Sequence, residues 1–321
     1  MKYNKSYQLP DTSYRLKIII VLVLILTLRL TLLTLNGFCG AGVTGATFLK
    51  LGLGSRPAAM GEAFAGVADD VTAIYWNPAG LGKVGEKQVS FIHSEWFQGI
   101  HHSNIGYCQP AFGGTLGAAG TILWIDGIER RAGDTANPDG YIVSRDIAAS
   151  VAYARPMSEN LNLGATLKIL FQQLDDRSAT GVALDLGLLY NMKDDVATGI
   201  SIQNIGYESA FISEQSPLPL NLKLGISKMY PDSRLTIASD INYGIMDNVF
   251  IAGAGMELWL HPMFCVRGGY KYNTASTVSL GFLSGITCGA GFNVNNIEID
   301  YAFVPYGDLG FTHRVSMIAR L

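Results

Sequence analysis

The stretch NIEIDYAFV at residues 296–304 alternates apolar and polar side chains with a period of two. Because successive side chains of a β-strand point to opposite faces, the pattern predicts a strand whose two faces meet different environments. Its apolar face would carry Ile297, Ile299, Tyr301 and Phe303. The same alternation recurs at residues 161–171 and 182–190 and in almost every segment after Lys87. We therefore expect an all-β fold with two consistent faces.

Three features favour a membrane barrel over a soluble β-sandwich, which also alternates. The runs are about ten or more residues long, which is the length a tilted strand needs to cross a bilayer. Short turns, such as residues 155–160 and 191–195, interleave with mostly longer loops, such as 126–143 and 207–217, as periplasmic turns and external loops do. Tyrosines on the apolar face near strand ends would form an interfacial girdle: Tyr153, Tyr190, Tyr243, Tyr272 and Tyr301.

Residues 87–321 are thus predicted to form a transmembrane antiparallel β-barrel in the outer membrane of a bacterium, crossing it many times. Counting the runs gives about fourteen strands, with twelve or sixteen left open. The chain would contact outer-membrane lipid around its whole circumference.

Residues 1–41 have the pattern of a signal peptide. Arg15 and Lys17 precede an apolar run at residues 18–28, and small residues follow at 39–41. Two alternatives are a retained helix, which the charge of Arg29 disfavours, and lipidation at Cys39. The pattern predicts export across the inner membrane.

Between residues 42 and 86 the period of two is absent and glycine and alanine dominate. Pro57 and Pro78 suit the first turn of a helix, where a missing N–H is tolerated. Asp69, Asp70 and Asn77 are residue types that cap short helices. We expect a compact segment of short helices and turns.

The same segment carries a family resemblance in the sequences TFLKLG (47–52), SRPAAMGEAF (55–64), ADD (68–70) and YWNPAGL (75–81). These stretches resemble the N-terminal signature of the PorV/PorQ family, a branch of the FadL-like outer-membrane proteins, and NPAGL is shared more widely with FadL-like transporters. The resemblance implies that residues 42–86 form a hatch inside the barrel; the alternative is a rigid turn that starts the barrel. The hatch-motif residues are Arg56, Pro57, Met60, Gly61, Asp69, Asp70, Asn77, Pro78 and Gly80.

The polar faces of the predicted strands carry many charged side chains. In a plugged lumen we expect them to be solvated or to pair with hatch charges such as Arg56, Glu62, Asp69 and Asp70. The predicted lumen-facing residues are Lys168, Asp185, Asp240, Arg267, Lys271, Glu298, Asp300 and Arg314.

Several function classes are disfavoured. The net charge is −3 and the 23 basic residues are scattered, so no basic stripe is available for nucleic acid. We find no catalytic motif, no phosphate-binding glycine loop and no metal-ligand spacing, and therefore predict a non-enzyme without cofactor or metal.

Two functions remain open. The PorV/PorQ resemblance implies a role in type IX secretion, with secreted cargo and secretion-pore proteins as partners contacted through the external loops. The alternative is a FadL-like channel that takes up long-chain fatty acids or other hydrophobic small molecules. The loops are mostly polar, which favours a protein partner over an apolar capture groove.

Overall fold

The computed structural model describes residues 43–134, 136–274 and 282–321, so the predicted signal peptide at residues 1–41 lies outside the described residues, as does residue 42. Sixteen strands are present in the described ranges. They are β1 (Gln88–Glu95), β2 (Ile100–Ala111), β3 (Gly114–Ile125), β4 (Glu129–Arg130), β5 (Gly140–Tyr141), β6 (Ser144–Pro156), β7 (Leu161–Leu174), β8 (Arg177–Asn191), β9 (Val196–Glu208), β10 (Asn221–Tyr230), β11 (Leu235–Gly244), β12 (Val249–His261), β13 (Phe264–Asn273), β14 (Ile286–Val294), β15 (Ile297–Pro305) and β16 (Phe311–Arg320).

Fourteen strands close into one antiparallel barrel, which confirms the predicted fold class and strand number. Each barrel strand pairs with its neighbours along the chain, and β1 pairs with β16 from Gln88↔Arg320 to Glu95↔His313 to complete the ring. The two short strands β4 and β5 form a separate ribbon within residues 126–143. Closure leaves the barrel without an exposed strand edge, as the hydrocarbon region requires.

The burial pattern is that of a membrane barrel, apolar outside and polar inside. On β7 and β8 the outward-facing Ile169 is 61% exposed, whereas Thr166 and Asp185, which face the lumen, are fully buried. The alternation seen in the sequence therefore separates a lipid-facing surface from a polar interior.

The two ends of the barrel differ in their connections. At one end, the short-turn end, the connections are residues 112–113, 157–160, 192–195, 231–234, 262–263 and 295–296. At the other, the long-loop end, they are residues 96–99, 126–143, 175–176, 209–220, 245–248, 274–285 and 306–310. Loop 175–176 is as short as the turns opposite, and Tyr207 and Glu208 belong to β9, so the predicted loop 207–217 begins later than expected.

Residues 43–86, here named the lumen segment, pack inside the barrel. They contain two short α-helices, Ser55–Ala59 and Ala73–Trp76, and two 3₁₀-helices, Thr47–Lys50 and Pro78–Lys83. No described helix is both long and apolar enough to cross a membrane. Apolar side chains of the segment form four buried clusters with small or aliphatic residues of the barrel wall.

The lumen segment runs from the long-loop end to the short-turn end. Near its start, the Gly45 amide donates to the carbonyl of Pro217 in loop 209–220 at 3.0 Å. Near its end, the Thr115 hydroxyl at the short-turn end of β3 donates to the Val84 carbonyl at 2.9 Å. The segment therefore occupies the lumen over much of its length before β1 begins.

Candidate functional site

Asn77 ties the lumen segment to itself and to the barrel wall. Its Oδ1 accepts a hydrogen bond from the Ala79 amide at 3.2 Å and so caps the 3₁₀-helix that begins at Pro78. Its Nδ2 donates to the carbonyls of Ala65 at 2.9 Å and Leu188 in β8 at 3.1 Å. A single buried amide thus fixes the NPAG turn against β8, which explains why asparagine precedes the proline.

Arg56 holds a group of acidic residues towards the short-turn end. Its guanidinium lies 2.6 Å from Asp69, 3.2 Å from Asp70 and 2.8 Å from Glu257 of β12. Asp70 also accepts hydrogen bonds from the amide and hydroxyl of Thr72, as a capping residue does. Asp69, expected to be a cap, instead pairs with Arg56 and is partly exposed.

The remaining motif residues shape the backbone of the segment or its contact with the wall. Pro57 accepts hydrogen bonds from Met60 and Glu62 through its carbonyl, which folds the chain back after the first α-helix. Gly61 has a φ of 65° and its amide donates to the Thr287 hydroxyl of β14 at 3.0 Å. A side chain at Gly80 would collide with the carbonyl of Ala68. Gly61 and Gly80 therefore need a residue without a side chain.

Glycines of the wall match the lumen segment. At each of them a Cβ would lie closer than 3.0 Å to an atom of the segment. We name them the glycine band: Gly117, Gly164, Gly187, Gly199, Gly225, Gly253, Gly255, Gly269 and Gly289. They spread over eight strands, β3, β7 to β10 and β12 to β14. At these positions the absence of a wall side chain lets the segment approach closely.

Three of the predicted lumen-facing residues, Lys168, Asp185 and Asp240, form buried ion pairs or hydrogen bonds. The Lys168 ammonium lies 2.6 Å from Asp185 and donates to Asn204 at 2.8 Å. The Asp240 carboxylate accepts hydrogen bonds from the amides of Phe64 at 2.8 Å and Ala65 at 2.6 Å. Asp240 of β11 thus holds the middle of the lumen segment through its backbone.

Arg267 is the centre of a second charged group. Its guanidinium is fully buried and contacts Glu257 at 2.6 Å, Glu298 at 3.0 Å and Asp300. Since Glu257 also binds Arg56, the group joins the wall to the lumen segment.

Arg314 of β16 is also fully buried. It donates to the Gly52 carbonyl at 2.8 Å and lies over the Trp96 ring at 5.1 Å. The structure thus brings Arg267 and Arg314 into contact with residues of the lumen segment or with their partners, whereas Lys168 and Asp185 pair within the wall.

Glu62 forms an ion pair with Lys271 of β13 at 2.9 Å. Burial alone would raise the pKa of the Glu62 carboxyl, but the cations of Lys271, Arg314 and Lys223 outweigh burial and hold the pKa below its ordinary value. The carboxyl therefore stays ionised in the folded protein at neutral pH.

We expect Glu62→Gln to lower the free energy of unfolding at neutral pH, and the difference from the wild type to shrink in acid. A pKa that is depressed by folding gives stability that is fully present above the ordinary value of 4.5 and lost as the pH falls through the folded value. Urea unfolding in detergent from neutral to acidic pH measures this, with Glu214→Gln in the exposed loop 209–220 as the control. A difference that persists unchanged in acid would show that Glu62 acts through packing rather than charge.

A bulge in β9 alters the wall beside Lys168 and Asp185. The register between β8 and β9 shifts between Leu184 and Leu186, so Gln203 and Asn204 together oppose Asp185. Asn204 has a φ of 63°, and both amide side chains are buried. Gln203 Nε2 donates to the carbonyls of Tyr75 and, at 3.2 Å, Trp76. The bulge therefore turns two consecutive side chains inward, which plain alternation forbids.

A cavity of about 350 Å³ lies between the start of the lumen segment and the five strands β9 to β13. Trp96, Asp247 and Tyr306 place it at the long-loop end. Its apolar lining includes Leu49, Leu51, Val249 and Ile251, and its polar lining includes Gln203, Asn221, Lys223, Asn242 and Lys271. The cavity, closed on its inner side by the lumen segment, is the candidate binding site.

Solved structures with a similar fold include three outer-membrane proteins. The CymD monoaromatic hydrocarbon channel superposes with a TM-score of 0.59 and 13% identity over 84% of this chain and 98% of that one. The Pseudomonas putida toluene transporter TodX superposes with a TM-score of 0.55 and 12% identity over 81% of this chain and 96% of that one. A FadL homologue of Pseudomonas aeruginosa superposes with a TM-score of 0.54 and 12% identity over 87% of this chain and 99% of that one.

The chain has the fold of the FadL-like outer-membrane channels. It is a multi-pass β-barrel of the bacterial outer membrane, as predicted. The proteins it resembles are channels and transporters by name rather than enzymes. The narrower resemblance to PorV/PorQ proteins stays a prediction.

Sequence comparisons add little. No family model matches the sequence. A UPF0164 protein of Treponema pallidum (strain Nichols) is 26% identical over 142 residues, which are 42% of this chain and 35% of that protein. The chain spans about a third of the length of this curated relative.

The sequence prediction missed several residues of the site. The predicted lumen set lacks Lys223 and Glu257. Lys223 stands on the polar side of an alternating strand, with Leu222, Leu224 and Ile226 on the lipid side, so the pattern could have revealed it. Glu257 lies in β12, whose sequence does not alternate. Asn204 could not be found in this way, because the bulge breaks the alternation there.

Proposed function

We propose that the protein is an outer-membrane channel for small molecules with an apolar body, and that the lumen segment is its hatch. The cavity at the long-loop end carries this proposal. It lies at the mouth of a barrel, a usual place for a small-molecule site, and it sets apolar side chains such as Leu49, Leu51 and Ile251 beside at least as many polar ones. The names of the similar channels, for monoaromatic hydrocarbons and toluene, agree with this class of substrate.

The size of the cavity favours compact molecules within that class. An enclosed cavity of about 150 Å³ holds a benzene ring. The cavity here measures about 350 Å³, which leaves room for a ring and its substituents. We therefore favour small ring compounds over extended long-chain fatty acids.

Passage requires the lumen segment to move. The strand pairs of the wall are continuous except for register shifts between Leu184 and Leu186 and between Trp259 and His261. Hydrogen bonds and ion pairs of Arg56, Glu62 and Asn77 hold the segment to β8, β12 and β13. Because these contacts are reversible, the segment can act as a hatch.

A disulfide that locks the segment should abolish transport. The hydroxyls of Ser55 and Ser316 in β16 are 2.8 Å apart, so cysteines at both positions can be joined with little movement. In a background that lacks the four native cysteines, we expect Ser55→Cys/Ser316→Cys in liposomes to pass benzoate, an ionised ring compound that a protein-free bilayer admits poorly, when reduced. The benzoate flux should fall to the rate of protein-free liposomes when the variant is oxidised.

The Ser55→Cys single variant is the control and should respond to neither treatment. Equal flux in the oxidised and reduced states would show that the locked region is not the gate. Flux no greater than that of protein-free liposomes in every state would contradict the channel itself.

The role in secretion that the PorV/PorQ resemblance implies stays a prediction. Recovery of a secretion pore or of surface-anchored cargo in a mild-detergent pull-down from native outer membranes would support it.

A further inference from the structure

Lys223 is a buried cation that lines the cavity and interacts with carboxylates only at longer range, namely those of Glu62, Asp240 and Asp185. Five charged residues line the cavity, and four of them pair: Lys50 with Asp247 at 2.5 Å and Lys271 with Glu62 at 2.9 Å. Lys223 is 4% exposed and makes no ion pair within 4.0 Å in the described chain. Its ammonium instead lies over the rings of Trp76 at 4.2 Å and Tyr75 at 5.1 Å.

An unsatisfied acceptor lies directly across the strand pair from this cation. Asn242 of β11 is the register partner of Lys223 in β10, so their Cβ atoms are about 5 Å apart. Asn242 is 6% exposed, and its Oδ1 has no hydrogen-bond partner in the described structure. Like Lys223, it lines the cavity.

A cation and an acceptor left unpaired in a buried site cost free energy unless something completes them. A ligand that completes both must bring a negative charge for Lys223 and a hydrogen-bond donor for Asn242. A hydrocarbon brings neither, and a simple fatty acid brings only the charge. The aliphatic side of the cavity, with Leu49, Leu51 and Ile251, leaves room for an apolar body.

We propose that the cavity binds a compact organic acid that also carries a hydroxyl or similar donor, with its acid group on Lys223 and its donor on Asn242. The inference rests on the proposed channel and names its substrate class. A hydroxylated aromatic acid fits the size of the cavity and the aromatic residues Tyr75, Trp96 and Tyr306 in its lining.

Binding of four kinds of probe to the purified full-length barrel in detergent tests the proposal by titration calorimetry. The probes are meta- and para-hydroxybenzoate with both groups, benzoate with the acid alone, para-cresol with the donor alone, and toluene with neither. We expect one hydroxybenzoate isomer to bind at least about tenfold more tightly than benzoate or cresol, with toluene weakest, because hydrogen bonds to charged groups have about this strength.

Two variants separate the two contacts. Lys223→Met should remove the preference for hydroxybenzoate over cresol, and Asn242→Leu should remove the preference over benzoate. Lys228→Met is the matched control, since Lys228 is on β10 but lies over the Tyr230 ring on the lipid side and should leave both preferences intact. Heat-modifiable migration on a gel shows whether each variant is folded. If Lys223→Met fails to fold, the proposal is tested by whether Asn242→Leu loses the preference for hydroxybenzoate over benzoate.

Toluene bound as tightly as the hydroxybenzoates, no binding of either hydroxybenzoate, or a folded Asn242→Leu variant that keeps its preference over benzoate would each overturn the proposal. The channel is tested separately by flux. Benzoate flux without any preference for the hydroxybenzoates in binding would reject this substrate class and leave the channel standing. Selective acid binding without flux would keep the site and reject the channel.

Discussion

Replacing Gly269 by valine should turn a closed barrel into a leaky one. Gly269 of β13 belongs to the glycine band, and a Cβ there would lie 2.9 Å from the Met60 Cα and closer still to the Gly61 amide nitrogen. Backbone atoms cannot turn aside as a flexible side chain can, so the lumen segment must shift. We expect single-channel conductance in planar bilayers to rise well above that of the wild type, and stability to fall by about 1–3 kcal/mol.

The adjacent Gly268 provides a matched control. No atom lies within 4 Å of a Cβ built there. Gly268→Val should therefore leave the conductance unchanged. Wild-type conductance and stability in Gly269→Val would mean that the segment can repack in place, and would weaken the case for its role as a hatch.

The second large effect is expected at Arg267. Arg267→Met would leave Glu257, Glu298 and Asp300 in the lumen wall without their shared cation. Removing one partner from a buried ion pair typically costs about 3–5 kcal/mol, because the remaining charge is left uncompensated. Arg56 and Arg320 still contact two of the carboxylates, so the lower part of that range is expected. Urea unfolding in detergent measures the loss.

Arg177→Met is the control for charge removal alone. Arg177 lies at the long-loop end, its side chain is 58% exposed and its contact with Asp176 measures 3.6 Å. Such a surface pair contributes at most about 1 kcal/mol. If both variants lost the same small amount, the buried group around Arg267 would not be a main support of the barrel.

The sequence predicted the barrel because alternation is a local property that lipid on one side and a polar lumen on the other impose on each strand. The run at residues 296–304 has the same two faces in β15 of the structure, where Glu298 and Asp300 are buried in the lumen and Ile299 is exposed on the lipid side. The capping by Asn77 is equally local and follows from the residue type before Pro78.

The candidate site depends on relations that a strand pattern does not contain. The pairing of Arg56 with Glu257 spans 201 residues, and the ion pair of Glu62 with Lys271 spans 209. The charged residues in the sequence indicated that the lumen segment and the barrel wall would form ion pairs. They did not indicate which residues would pair. At Lys223 the informative observation is an absent contact. That its ammonium makes no ion pair within 4.0 Å in the described chain becomes visible only when its neighbours are in place.

The glycine band also has a consequence for how such a protein can change in evolution. At the glycine band the wall contributes no side chain to the lumen, so the lumen segment fills the space there. In the channel proposed above, the width of the passage would be set by this segment of about forty residues more than by the fourteen strands around it. Substitutions confined to residues 43–86 could therefore retune what passes while the strands retain the residues that insertion in the membrane demands.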